Sequence, residues 1–434
     1  MSTNDLLASD RLLQRTVVFV HQHLQVGGAE VLRWTMLKRL REHRQYRIVV
    51  CCLGHRGTIG DELETLGIRV IYLNAHQKFY NLFTTWKLLQ VLRQERPHIV
   101  QSSQFDANVH ARLAAWWLRV PVVIIEEHGL YRWKRWYHRW IDRALLRGTD
   151  AAIAVSKSVE EWLVRQGIAA GKIVVLPNCV DVERFSAERS KPEARRQLGY
   201  GADEMIIGTV GTLRWEKGHR YLLEAMRIVA DRHPSARLVV VGDGPLRREL
   251  EQRVAELRLD GRVDFLGQRR DHEELLVSFD LFVLASVNES FGIALAEAMC
   301  AGLPCVATSV GGIPEAMGRV TRGEGQVKED ARVSSLESRV SSYEVAEGGL
   351  LVPSADPPAL AEAIERLIVD RELAERLGRS AQRRVRERFG VERYLNNLTM
   401  LYDRCLHPAP RACATGLSSM GGAAGGPTVA TGVL

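Results

Sequence analysis

The sequence predicts an α/β protein built from two doubly wound, parallel-sheet domains. Short Val/Ile-rich runs alternate with helix-length segments, the pattern of parallel strands covered on both faces. The alternation runs twice, with a polar interruption at 177–204. A chain of 434 residues also exceeds one ordinary domain, at roughly 150 residues each. With 46% hydrophobic and 26% charged residues, the composition excludes a disordered, collagen-like or coiled-coil chain.

In chain order, strands are predicted at 16–20, 47–53, 68–73, 98–101, 121–125, 151–155 and 172–176. Together they make an N-terminal domain over 1–180. A polar stretch over 177–204 begins with Pro177, Asn178 and Asp181, and residues 181–204 read as a linker. A second series at 205–210, 237–241, 263–266, 281–284, 304–307 and 349–352 makes a C-terminal domain over 205–390. Residues 318–346 break its order with Gly323, Gly325, five serines and mixed charges, which suggests a mobile surface insertion. Helices are predicted at 357–389 and 391–405. The segment 391–406, with Tyr394, Leu395, Leu398, Leu401 and Tyr402, is amphipathic and expected to return to the first domain. Residues 407–434 carry no charge after Arg411 and read as a disordered tail. Ligands of such sheets bind beyond the carboxyl ends of the strands, so the cleft between the domains is the expected site.

Charge is unevenly distributed. Residues 1–190 hold 27 Lys and Arg against 18 Asp and Glu, whereas the remainder holds 32 against 34. Eight of the nine tryptophans also lie in the first 190 residues. A basic, Trp-rich first half suggests an anionic surface or substrate met on that side. Residues 1–15 lack the charged-then-apolar order of a signal peptide, and no apolar run approaches the ~20 residues that span a bilayer. A cytoplasmic protein is expected, with the seven cysteines reduced.

The chemistry concentrates at 285–315. A polar loop follows the strand 281–284, and Gly292 opens a helix. The loop Glu289-Ser290-Phe291-Gly292 places backbone N–H groups at a helix N-terminus, where an anion or sugar hydroxyls can bind. Glu289 and Glu297 bracket the turn, and carboxylates accept paired hydroxyl hydrogen bonds. Glu297 lies amid Ala296, Ala298 and Met299, an unusual setting for a solvated acid. In Val210-Gly-Thr-Leu-Arg-Trp-Glu-Lys-Gly218, Arg214 and Lys217 precede a helix start, where cations are unfavourable unless an anion binds. Gly27 and Gly28 open a helix after the first strand and allow close backbone approach. His128 follows the buried strand 121–125, at the end that faces the cleft. Glu126 and Glu127 alternate across that strand, so they are not expected to act together. No Asp-x-Asp loop or His/Cys cluster indicates a metal. Val-Gly-Asp-Gly-Pro at 241–245 lacks the glycine spacing of a dinucleotide loop, so no cofactor is expected.

The stretch from Glu289 to Glu315 resembles the signature of the retaining glycosyltransferases of family four, the group 1 glycosyl transferases with the GT-B fold. Its Glu-x7-Glu spacing, Gly302-Leu-Pro304 and Gly311-Gly312-Ile-Pro314-Glu315 match that family's pattern. The resemblance spans roughly 16–405, apart from 318–346. It implies a nucleotide-sugar donor in the second domain and a sugar or lipid-linked acceptor in the first. Lys217 and Arg214 would contact the diphosphate, Glu289 and the 290–292 backbone the sugar, and Glu297 the ribose. His128, Gly27 and Gly28 would complete the site. Two departures stand out. Thr212 occupies the position where the family often has Arg, and Cys179 replaces the glycine of the family's Asn-Gly-Val-Asp hinge segment.

The expected activity is therefore a metal-independent hexosyltransferase of lipid-linked or cell-surface polysaccharide or glycolipid synthesis. A sugar-nucleotide epimerase, a phosphorylase or an inactive nucleotide-sugar-binding protein would share the architecture. Residues 130–147 suggest two alternatives. As a helix they align Trp133, Tyr137, Trp140, Ile141 and Ala144 on one face and Arg132, Arg135, Arg139 and Arg143 on the other. Such a helix either lies on an anionic membrane or packs its aromatic face on the first sheet. No nucleic-acid partner is expected.

Overall fold

A computed structural model describes residues 14–25, 28–76, 78–129, 135–186, 190–320 and 342–408. The GT-B architecture is present as two seven-stranded sheets. The first contains β1 (Arg15–His21), β2 (Tyr46–Cys52), β3 (Arg69–Tyr72), β4 (Ile99–Ser103), β5 (Val122–Glu127), β6 (Ala151–Ala154) and β7 (Ile173–Val175). Its order is β3-β2-β1-β4-β5-β6-β7, all parallel. The second contains β8 (Met205–Val210), β9 (Ala236–Val241), β10 (Val263–Gly267), β11 (Leu281–Leu284), β12 (Cys305–Thr308), β13 (Glu344–Ala346) and β14 (Gly349–Val352). Its order is β10-β9-β8-β11-β12-β14-β13. The two strand series were legible because β1, β4, β5, β6, β8 and β11 are buried along nearly their whole length, which demands continuous apolar side chains.

One face of the first sheet is covered by α1 (Gly28–Leu40), α2 (Thr58–Thr65) and α16 (Val391–Leu406). The other is covered by α3 (Leu82–Glu95) and α4 (Phe105–Leu118). Helix α16 brings Tyr394, Leu395, Leu398, Leu401 and Tyr402 into the first domain's core. The chain therefore crosses between the domains twice, and the crossings adjoin. Val180 N donates to Phe389 O at 2.7 Å, and Val180 bridges Gly390. Cys179 is buried in the first domain's core, so the side chain that replaces the expected glycine is simply packed there.

Helix α5 (Trp136–Leu145) departs from expectation. Its buried residues are His138 and Asp142, because α4 buries Arg112, whose Nη2 donates to Asp142 Oδ1 at 2.6 Å. Trp136, Trp140, Arg139 and Arg143 all face solvent together, and Ala144 is exposed. The predicted division into aromatic and basic faces therefore does not hold. Residues 130–134, with Arg132 and Trp133, are outside the described residues. Helix α6 (Lys157–Gln166) follows β6 and buries Val159 and Leu163.

Two further readings are corrected, and the bounds of a third are narrowed. Residues 181–204 are not a plain linker: α7 (Val182–Ser186) and α8 (Lys191–Leu198) lie there. Lys191 and Arg195 both bind Asp280, which fastens α8 to the second domain. The predicted helix 357–389 is two helices, α14 (Pro357–Val369) and α15 (Arg371–Arg388). Between them Asp370 accepts from Leu373 N at 2.9 Å and caps the second. The irregular segment 318–346 ends in β13, which pairs antiparallel with β14. Most of that segment, 321–341, lies outside the described residues, as does the tail from 409. Helices α9 (His219–Arg232) and α10 (Arg247–Glu256) share one apolar core of the second domain with α14.

Candidate active site

The carboxyl ends of both sheets face a cleft of about 770 Å³ lined by both domains. Gly28 and His128 reach it from the first domain, and Lys217, Glu289, Ser290, Phe291, Gly292 and Glu297 from the second. Arg214 is exposed and does not line it. Gly27 lies outside the described residues.

Lys217 ends a single turn, Trp215–Lys217, after β8. The next residue, Gly218, has φ +65°, and a Cβ there would fall 2.0 Å from Ala285 O. Only glycine lets this loop lie against the end of β11. Lys217 Nζ donates to Glu289 Oε2 at 2.6 Å, and Ser286 Oγ donates to the same oxygen at 3.3 Å. A cation and a carboxylate on loops 72 residues apart thus meet at the cleft wall. His219 lies behind them, its pKa pushed down to about 4 by burial and by Lys217. It adds no positive charge at neutral pH.

The Glu289 loop is clamped by the Gly311–Gly312 turn, which leads into α13 (Ile313–Met317). Gly311 has φ +54°, and a Cβ on it would meet Glu289 O at 1.6 Å; Gly312 N donates to Glu289 O at 3.1 Å. Gly292, at φ +92°, opens α12 (Ile293–Cys300), whose N-terminal N–H groups point into the cleft region. Phe291 has a buried ring, which meets Phe389 edge-on at 5.2 Å. Its backbone, not its ring, is the part available to a ligand.

Glu297, nearly buried on α12, lies 3.2 Å from His272 Nδ1. His272 opens α11 (His272–Ser278). Burial pulls its pKa down, but the bond to Glu297 and that carboxylate's charge outweigh burial and hold it above the usual histidine value. Nearby, Arg184 donates to Glu273 Oε2 and to Arg270 O, both at 2.7 Å. These side chains line the same end of the cleft. Sequence reasoning singled out neither His272 nor Arg184. Their signal is a long-range pairing rather than a local motif.

Across the cleft, Gly28 begins α1 with its Cα turned toward the start of α12, and an added Cβ would lie 3.7 Å from Ile293 Cδ1. Two helix N-termini therefore approach the same space. His128 Nε2 lies 3.2 Å from Glu126 Oε1, an ion-pair distance, and neither of its buried ring nitrogens makes a well-directed hydrogen bond. Glu126 is fully buried and ion-paired with Arg33 of α1. It also accepts from Gln101 Nε2 at 2.9 Å and from Tyr394 OH at 3.3 Å. Burial alone would raise its pKa, but Arg33 and then His128 hold the carboxyl well below the usual range. Glu127 turns to the other face, where its Oε1 accepts from Asn108 Nδ2 at 3.1 Å. A histidine backed by a fixed carboxylate, a lysine and two helix starts can hold a polyhydroxylated ligand and a leaving anion.

The chain is similar to known proteins in sequence and in fold. The family model for Glycosyl transferases group 1 matches residues 204–370, and that for Glycosyltransferase Family 4 matches 26–184. The putative glycosyltransferase EpsF of Bacillus subtilis is 26% identical over 304 residues, covering 68% of this chain and 79% of its own. The phosphatidylinositol N-acetylglucosaminyltransferase GPI3 protein of Saccharomyces cerevisiae is 28% identical over 312 residues, covering 68% of this chain and 67% of its own. Among solved structures, Anabaena HepE in complex with UDP and glucose superposes with a TM-score of 0.76 at 23% identity. It covers 90% of this chain and 100% of its own.

Proposed function

The chain belongs to the group 1 glycosyl transferases of family 4 and has their GT-B fold, and on that basis we propose that it moves a hexosyl unit from a nucleotide-sugar to an acceptor hydroxyl with retention of configuration. The observation that carries this reading is the Lys217–Glu289 pair at the cleft wall, beside the start of α12. In the free protein each charge satisfies the other. A bound donor replaces that contact: its diphosphate takes Lys217 and the α12 N–H groups, and Glu289 turns to the sugar hydroxyls. The negative charge that grows on the leaving diphosphate is then met by groups already in place.

Glu297, held by His272, accepts from the ribose hydroxyls. His128 and the backbone at Gly28 close on the sugar from the first domain. The bond from the anomeric carbon to the phosphate oxygen breaks, and the bond to the acceptor oxygen forms on the same face. The acceptor's proton passes to the departing phosphate oxygen. No metal enters this scheme, because Lys217 and helix N-termini supply the positive charge. A lipid-linked acceptor is supported by the phosphatidylinositol in the name of the yeast relative. It is also consistent with the exposed basic and aromatic residues of the first domain.

The test is nucleoside diphosphate release from UDP-, GDP-, ADP- and dTDP-sugars, with membrane extract as acceptor and a chelator present. Release with one donor, lost in Lys217→Ala and Glu289→Ala and retained with chelator, is expected. Nucleotide binding without release from any donor would point to an epimerase or an inactive binder. Transfer to inorganic phosphate would indicate a phosphorylase.

A further inference from the structure

We propose that the outer face of α3, α4 and α5 is a docking surface for an anionic lipid bilayer. Among the described residues, eight of the thirteen exposed large apolar side chains fall between Tyr80 and Trp140. All of these but Tyr80 lie on the three helices, and Trp117 and Trp136 are more than two-thirds exposed. Several of these rings meet in local clusters. Phe83 stacks on Trp86 at 5.6 Å. Phe79 bridges Tyr80 at 5.3 Å and Tyr137 at 6.4 Å, and Tyr137 meets Trp136 at 5.9 Å. Trp116 lies against Gly148, just beyond α5. Exposed indoles in such numbers are costly in water and are favoured at the boundary between headgroups and acyl chains.

The charge of this surface has one sign. Between Lys78 and Arg147 the described residues expose eight basic side chains, Arg119, Arg139, Arg143 and Arg147 among them. All five acids of that stretch are buried. Glu95 turns inward to Arg47 and Arg69, and Asp142 to Arg112. That pattern is complementary to an anionic leaflet. It also argues against a second copy, since an isologous contact through this face would set positive charge against positive charge. Helices α3 and α5 both begin at the carboxyl edge of the first sheet, the edge that carries Gly28 and His128. A bilayer seated here would lie beside the cleft's acceptor side, so the inference deepens the lipid-linked acceptor proposed above and rests on it only for its purpose.

The experiment is co-sedimentation of the full chain with vesicles of phosphatidylcholine alone or of equal parts phosphatidylcholine and phosphatidylglycerol. Binding to the anionic vesicles and not to the neutral ones is expected. Arg139→Glu with Arg143→Glu should lower partitioning at least about twentyfold, at roughly fivefold per charge removed. Trp136→Ser with Trp140→Ser should lower it about tenfold or more. All four substitutions are at exposed positions, and melting temperature and donor-dependent nucleotide release in solution should stay as in the parent. Vesicle binding needs no turnover, so an inactive protein that still binds would refute only the transferase reading. Absence of binding to either vesicle, or undiminished binding by both variants, would overturn the bilayer proposal. So would a dimer abolished by the Trp variant, or duplex DNA displacing the protein from vesicles.

Discussion

Glu126→Gln leaves the Arg33 guanidinium buried without a counter-charge. Both side chains are almost wholly enclosed, 3% exposed for Arg33 and 1% for Glu126, between α1, β5 and α16. Removing one partner of such a pair costs about 3–5 kcal/mol, because the remaining charge has lost its compensation. A domain of this size shifts by roughly 2–4 °C per kcal/mol, so the first domain's melting transition should fall by roughly 6–20 °C. Scanning calorimetry at neutral pH measures it. Arg33→Met with Glu126→Leu should recover much of the loss, since an apolar pair needs no compensation. The pH dependence adds a sign. Glu126's folded pKa lies below its unfolded one, so its contribution is complete above about pH 4.5 and is lost as pH falls through the depressed value. In Arg33→Met, burial dominates the lone carboxyl and the dependence inverts: stability should drop as pH rises. A Glu126→Gln protein as stable as the parent, or an Arg33→Met protein with the parent's acid profile, would refute the reasoning.

Four further outcomes are expected. Lys217→Ala should lower kcat by about 10²–10³-fold, the usual cost of removing one group that meets leaving-group charge, with the melting temperature nearly unchanged. Gly311→Ala forces a Cβ onto Glu289 O at φ +54°, so it should cost about 2 kcal/mol or more and displace the Glu289 loop, which calorimetry and activity read together. Gly28→Ala has room in the free protein, its Cβ 3.7 Å from Ile293, so it should melt within about 0.5 kcal/mol of the parent while turnover falls; equal turnover would remove Gly28 from the site. His272 has a raised folded pKa, so its contribution to stability is complete below pH 6.5 and lost as pH rises through the raised value. The melting difference between the parent and His272→Ala should accordingly shrink as pH rises from 6.5 through the raised value, and a constant difference would count against the His272–Glu297 pair.

The two sheets were legible in the chain because a parallel strand buried on both faces admits few residues other than Val, Ile, Leu and Ala. That requirement is local and repeats at each of β1, β4, β5 and β8. Gly292 was legible as a helix opening, whereas Gly218 and Gly311 stood only within longer motifs, and the structure shows that a side chain on either would strike backbone at positive φ. Lys217 and Glu289 were legible separately, each by its place in a loop between strand and helix. Their contact was not, since it joins loops 72 residues apart. The same holds for Arg33 with Glu126 and for His272 with Glu297: a charge states its need for a partner, but local sequence does not say which. Arg214 shows the converse. Its position in the loop suited a phosphate, yet the turn at Trp215–Lys217 sends it to solvent. Helix α5 was misread for a related reason. Its spacing fits an aromatic face and a basic face, but the buried Arg112 of α4 claims Asp142 and so sets which side points inward. Periodicity determines the elements. Which side chains meet is decided only when the packed sheets and helices bring distant segments within hydrogen-bond reach.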